Sequence, residues 1–487
     1  MQRLLALGIL TALLNPVQAA GVLVVAGGGS EGDIGDTQSW SYRLYQPLVS
    51  NGDVNGDGQV QVVILSTKAE TSFLPNYFVW LGADTAVNLQ VTNRTAANNA
   101  TLVAPLQQAD VVFIKGGDQG VYYDTWNDTL LENYLLAVDQ RGGAIGGTSA
   151  GAMSLAQYCF AGGKDYISLD VLTDSQTAYL NDSDGGSGIH TDFLSLIPGV
   201  VLDTHYTERG RLGRTVGLLG KASQDYNLSG LLAVGVSEKT GLVITGNTAE
   251  VLGVGGVDFI QPTGNTTLRR DVGHPLYYTH LRLDRLTEGW RYDLSTRTPD
   301  TLNRPSSSLR VSYSGDSTAN SGSLTLRGNR TGDQEQFTRT VAYSPQSYQT
   351  QLGILSPYLK NTLGLVDAQN SNNRGSIQES LYRALYDYPS YTGFLVAAPG
   401  QLRRTTSQAD GLRFERNNPQ AAPEAATLVL DGKTLTHRGL APYPAVLDTG
   451  SDTLQAAALI NLRLHVLAET NRQSTGYNTR THRLITN

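Results

Sequence analysis

Ala144-Ile145-Gly146-Gly147-Thr148-Ser149-Ala150-Gly151-Ala152-Met153 is the stretch on which the fold turns. An apolar run enters a glycine-flanked serine, and helix-forming residues follow. That order fits a nucleophile elbow, in which Gly147 and Gly151 permit a tight strand-to-helix turn and Ser149 is pushed outward. The start of the following helix places backbone N–H groups near any anion that forms there. The G-x-S-x-G spacing alone also admits a structural turn carrying an incidental serine. The rest of the chain must therefore supply its partners.

Working outward, Val22 to Ala26, Val60 to Ser66, Val111 to Lys115 and Ala144 to Gly147 read as buried strands ending in glycine or polar residues. Asp124 to Val138 carries apolar and aromatic residues at helical spacing. Repeated strand, loop and helix predict an α/β fold, a mostly parallel sheet with helices on both faces. Functional loops in such sheets gather at the carboxyl ends of the strands. After about residue 290, Ser, Asn, Gln, Arg and Thr become more frequent. Arg310 to Tyr313 and Ser323 to Arg327 look like short antiparallel strands, and Ile377 to Tyr386 and Leu454 to Leu467 look helical. The expected organisation is a catalytic α/β domain over 21–290 and a C-terminal α+β or β-rich module over 291–487.

The chain has 487 residues, 40% hydrophobic and 16% charged, as a globular protein does. A formal charge of −7 with no long Lys/Arg run speaks against nucleic-acid binding. Residues 1–20 have the order of a signal peptide: Arg3, an apolar core from Leu4 to Leu14, and Val17-Gln18-Ala19 before a cleavage point. The expectation is a secreted or periplasmic protein with no membrane attachment after cleavage. Cys159 is the sole cysteine, which rules out an intramolecular disulfide, and its apolar neighbours make it a core residue.

A nucleophilic serine needs a base and an acid to orient it. His205 follows the apolar run Ile197 to Leu202, which would bring it to a strand end, and it stands beside Arg209, Arg211 and Arg214. Such a cationic cluster suits carboxylate ligands, although a solvated helix face would look the same. Glu238 ends the next apolar run, Leu231 to Val236, and is the first choice of acid; Asp203 is its rival. Lys115-Gly116-Gly117-Asp118-Gln119 ends a buried strand. Its glycine N–H groups, with Gly117 taken as donor, would complete an oxyanion hole with the N–H of Ala150, and Gln119 would hold substrate.

Together these segments resemble the cyanophycinases, within the serine peptidase family that includes aspartyl dipeptidase (peptidase E). The match runs through Val24 to Asp33, the Gly-Gly-Asp-Gln loop, the elbow, the Asp203-x-His205-x-x-x-Arg209-x-Arg211-x-x-Arg214 segment and, more weakly, the Glu238 segment. It covers about residues 21–285. The resemblance implies a triad of Ser149, His205 and Glu238, with substrate contacts from Gln119, Asp203, Arg209, Arg211 and Arg214. It further implies hydrolysis of cyanophycin, an arginine-decorated poly-aspartate, to β-Asp-Arg through an acyl-enzyme, no required cofactor, and a homodimer. Thr204 stands where the family has Gln, and the stretch between Cys159 and His190 is expanded. The other readings are an Asp-directed di- or oligopeptidase acting on β-aspartyl peptides and a non-catalytic polymer-binding surface protein. The intact Ser, His and acid set speaks against the last.

Asp53-Val54-Asn55-Gly56-Asp57-Gly58 matches the first half of an EF-hand calcium loop, with Asp53, Asn55 and Asp57 as the ligands. Its twelfth position is Ile64 rather than Glu, and a plain tight turn before a strand needs the same residues.

Overall fold

A computed structural model describes residues 21–303, apart from residues 70, 163–165, 167–169, 172–173, 207–208, 210 and 275. Beyond 303 it describes strand backbones, at 322–329, 336–343, 394–397, 412–413, 427–431, 443–444, 457–467, 475–478 and 483–486, and the side chain of Leu464. The expected signal segment 1–20, the Arg310–Tyr313 strand and the Ile377–Tyr386 helix lie outside the described residues.

Five parallel strands form the heart of the first sheet: β1 (Val22–Ala26), β2 (Gln61–Ser66), β3 (Thr85–Gln90), β4 (Val111–Ile114) and β5 (Ala144–Thr148), in the order β1-β5-β4-β2-β3. Their residues are apolar without alternation because both faces are buried. On one face Val22, Val24, Val62, Ile64, Val111 and Phe113 pack against Leu44 and Leu48 of α1 (Trp40–Ser50) and Leu74 and Phe78 of α2 (Phe73–Trp80). On the other face Val25, Leu65, Val112 and Ile114 meet helical residues such as Leu131 and Leu135 and residues of a second sheet. Three single-turn helices, α3 (Arg94–Ala97), α4 (Ala100–Val103) and α5 (Pro105–Gln108), lead from β3 to β4.

The expected helix over Asp124 to Val138 is two helices, α6 (Gln119–Trp126) and α7 (Leu130–Gln140). Asp128 separates them at φ 54°, a left-handed conformation that a continuous helix does not admit. After β5 the helix α8 (Ala150–Met153) is a single turn, and the chain passes at once into the second sheet through β6 (Ala156–Phe160).

The expected mostly parallel α/β architecture is built from two sheets rather than one. β7 (Ile189–His190) pairs with β6, and β8 (Ile197–Asp203) and β9 (Leu232–Val236) continue in parallel with β6. The helix α9 (Leu212–Asp225) lies between β8 and β9 in sequence and packs on both. The hairpin of β10 (Thr240–Thr245) and β11 (Thr248–Gly253) returns antiparallel to β1, whereas β12 (Gly256–Gln261), β13 (Thr267–Arg269) and β14 (Tyr277–Thr287) extend the second sheet. Each sheet therefore has a parallel centre and an antiparallel flank.

Pairing crosses the expected boundary at 290. β15 (Arg291–Asp293) and β16 (Thr298–Pro299) edge the first sheet, and the strand Ala457–Leu467 pairs antiparallel with β14, burying Leu464. The helix expected over Leu454 to Leu467 is a strand at Ala457–Leu467. Alternating apolar residues in Leu459-Ile460-Asn461-Leu462-Arg463-Leu464 fit a strand period better, and the open edge of β14 provides its partner. Ser323 to Arg327 falls in an antiparallel strand, Gly322–Asn329, as expected.

Candidate active site

Ser149 sits at the carboxyl end of β5 with φ 55° and ψ −122°, a strained conformation for a residue with a side chain that costs about 1–3 kcal/mol. The turn closes so tightly that a Cβ at Gly147 would strike the backbone of Gly151, and one at Gly151 would strike Ile114 O. Both glycines of the motif are thus required by space. His205 follows β8, and Glu238 follows β9. The three converge from two sheets: Ser149 Oγ lies 2.6 Å from His205 Nε2, and His205 Nδ1 lies 2.6 Å from Glu238 Oε1.

His205 is 9% exposed, and burial is the main reason its pKa falls to about 4. The hydrogen bond to Glu238 opposes that fall, and the charges of Arg209 and Arg211 add to it. The imidazole is therefore neutral at pH 7 and able to take a proton from Ser149.

Gly117, Asp118, Gln119, Ser149, Ala150, Thr204 and Arg209 line a cavity of about 140 Å³, together with His205, Arg211 and Arg214. Ala150 is the first residue of α8, so its N–H belongs to the unpaired first turn. With α8 only four residues long, local N–H groups rather than an extended helix dipole face the cavity. Gly117 is held by Tyr122, whose hydroxyl donates to Lys115 O at 2.8 Å; a Cβ at Gly117 would collide with that hydroxyl. Tyr122 also stacks on Trp126, with ring centroids 4.2 Å apart. Gln119 opens α6, where Asp118 caps the N–H groups of Gly120 and Val121.

Asp203 is placed differently from the substrate contact expected. It is fully buried behind the cavity and does not serve as the acid for His205. Its carboxylate pairs with Arg211 at 3.1 Å and Arg214 at 3.0 Å, and it accepts from the Thr215 hydroxyl and the Thr204 N–H. Arg214 is also nearly buried. It donates to Tyr166 O and lies over the rings of Phe160 and Tyr166. Two arginines of the cationic segment, Arg211 and Arg214, are thus organised around one carboxylate, and the half-buried Arg209 lines the cavity.

Tyr122, Thr215 and Tyr166 have no signature in the sequence. Aromatic and hydroxyl residues in helices and loops carry no spacing signature, so only contact reveals their part. Cys159 is buried in β6, and burial pushes its thiol up to about 12, in keeping with a core role.

The Asp53–Gly58 loop uses its Asp and Asn side chains as turn acceptors. Asp53 takes the N–H groups of Gly56 and Gly58, Asn55 that of Asp57, and Asp57 that of Gln59. Ile64 is a buried core residue of β2. These bonds cap the turn that leads into β2.

The profile of Peptidase family S51 matches residues 76–251, a span that includes Gly117, Ser149, His205 and Glu238. A cyanophycinase of Nostoc sp. is 31% identical over 227 residues, 45% of this chain and 69% of the relative. One from Geminocystis herdmanii is 27% identical over 256 residues, covering 50% and 86%. A solved peptidase from an acI-B1 Actinobacterium superposes with a TM-score of 0.39 at 18% identity, over 57% of this chain and 98% of that one. The chain belongs to Peptidase family S51, among the relatives of the cyanophycinases, and is a serine-type peptidase.

Proposed function

We propose that this peptidase hydrolyses cyanophycin to β-Asp-Arg, with Ser149 as nucleophile, His205 as general base and acid, and Glu238 as the group that orients the imidazole. The observation that carries the reading is the unbroken line Ser149 Oγ, His205 Nε2, His205 Nδ1, Glu238 Oε1, with both links at 2.6 Å, beside a cavity walled by arginine. His205 takes the Ser149 proton as Oγ attacks the scissile carbonyl, and Glu238 steadies the imidazolium that forms. The N–H groups of Gly117 and Ala150 receive the negative charge on the carbonyl oxygen. His205 then returns its proton to the leaving amine, and water, activated by the same imidazole, releases the acyl group from Ser149.

Cyanophycin presents an α-carboxylate on every arginine side branch. Arg209 is the natural contact for one, while Gln119 faces the backbone of the bound segment. The curated relatives named cyanophycinase support this choice of polymer. Export is supported by the sequence order of Arg3, the apolar Leu4 to Leu14 core and Val17-Gln18-Ala19. Among the described residues no helix is long and apolar enough to cross a membrane.

The test is to incubate the protein with insoluble cyanophycin and, separately, with soluble β-aspartyl and Asp-Xaa peptides, identifying products by mass. Clearing of the polymer with release of β-Asp-Arg is the expected result. Peptides cleaved while the polymer stays intact would point instead to an Asp-directed oligopeptidase.

A further inference from the structure

The triad side chains come from three different strand ends in two sheets, so something must fix their backbones relative to one another. Three successive carbonyls at the end of β1 do so. Ala26 O accepts from Ser149 N at 2.9 Å, Gly27 O from His205 N at 2.8 Å, and Gly28 O from Lys239 N, next to Glu238, at 2.7 Å. Gly27 N in turn donates to Thr240 O at 2.8 Å. Neither Ala26, Gly27 nor Gly28 carries a group that could take part in the chemistry. Glycine is demanded here by space as well as conformation. Gly28 has φ 100°, and a Cβ on it would lie within 3 Å of three atoms of the His205 ring; a Cβ on Gly27 would strike Ser237 O.

We infer that Ala26-Gly27-Gly28 is a backbone template that assembles the triad, and that Gly28 is a positioning residue for His205. This deepens the proposed triad but is independent of the substrate assigned to it. The bare α-carbon of Gly28 gives the imidazole a flat seat, and the three carbonyls set the spacing between the nucleophile, base and acid segments. A methyl group at 28 displaces the ring from the line between Ser149 and Glu238. Displacement of that order, about 1 Å, costs on the order of 100-fold in rate.

The experiment uses the full chain with Gly28→Ala and, as a matched control, Gly35→Ala. Gly35 has φ 99°, so alanine meets the same backbone strain there, but nothing lies within 4 Å of its Cβ. Imidazole titration by NMR, with His205 assigned through His205→Gln, is read beside thermal unfolding. The expected result is that His205 titrates well below 6.5 in the parent and in Gly35→Ala, and moves up toward 6.5 in Gly28→Ala. Hydrolysis then falls about 100-fold in kcat, with KM within about threefold. Equal His205 titration in both variants, or a rate loss matched by Gly35→Ala, overturns the inference. Hydrogen exchange on the unsubstituted protein gives a second test that needs no variant. Slow, concerted exchange of the Ser149, His205 and Lys239 amides is expected, and rapid exchange of any one of them contradicts the template. If no cyanophycin is cleaved, the titration and the exchange still decide this point.

Discussion

At the scale of single residues, the site depends on keeping His205 neutral while poising it to accept a proton. Because burial, followed by the charges of Arg209 and Arg211 against the opposing Glu238 bond, lowers its pKa to about 4, the acidic limb of kcat/KM should lie well below pH 6.5. Arg209→Ala removes one of the repulsive charges and should move that limb upward, a shift visible in a pH–rate profile. The same depression links folding to pH. The unfolded chain takes up a proton near 6.5 that the folded His205 refuses, so stability is full above 6.5 and declines as pH falls toward 4. His205→Gln should flatten that part of a stability profile measured by denaturant unfolding. Glu238→Gln should leave the fold intact and lower kcat by on the order of 10⁴, because the imidazole loses the partner that selects its tautomer. Ser149, His205 and Glu238 were all legible in the sequence, since each stands at the end of an apolar run. The role of Asp203 was not: its position beside His205 suggested a substrate contact or a rival acid, and only its burial shows that it serves Arg211 and Arg214 instead.

At the scale of elements, the cationic segment between β8 and α9 is held by a buried ion cluster. Removing one member of such a cluster leaves uncompensated charge in the interior and costs about 3–5 kcal/mol. Asp203→Asn should therefore destabilise the protein by roughly that amount, measured by urea unfolding. Asp118→Ala, an N-cap loss at α6, should cost nearer 1 kcal/mol. The strands of the parallel centre could be read from the sequence because each is a short unbroken apolar run. The division between α6 and α7 could not. The periodicity of Asp124 to Val138 is helical throughout, and the break depends on the left-handed turn at Asp128 and on Glu132 reaching back to accept its N–H at 2.7 Å. Nor does an apolar run state which sheet it joins. β5 and β6 are separated by one helical turn, yet they belong to different sheets.

At the scale of the whole molecule, the proposed catalytic residues meet at the ends of strands that belong to two sheets. Ser149 and the Ala26–Gly28 segment come from the first sheet, His205 and Glu238 from the second. Proper packing of the sheets is thus a condition for chemistry. The strand Ala457–Leu467 covers the edge of β14, so truncation after residue 456 should expose an unpaired strand, and the shortened chain should aggregate by light scattering under conditions where the full chain does not. The central claim is that Ser149 attacks with the help of His205. The most direct measurement is covalent labelling of the native protein by a serine-directed phosphonate, located by peptide mass and followed in parallel with cyanophycin hydrolysis. Stoichiometric modification at Ser149, strong slowing in His205→Ala, and a loss of hydrolysis of at least about 10⁴-fold in Ser149→Ala are the expected results. Labelling at another serine, or hydrolysis that survives Ser149→Ala, would contradict it.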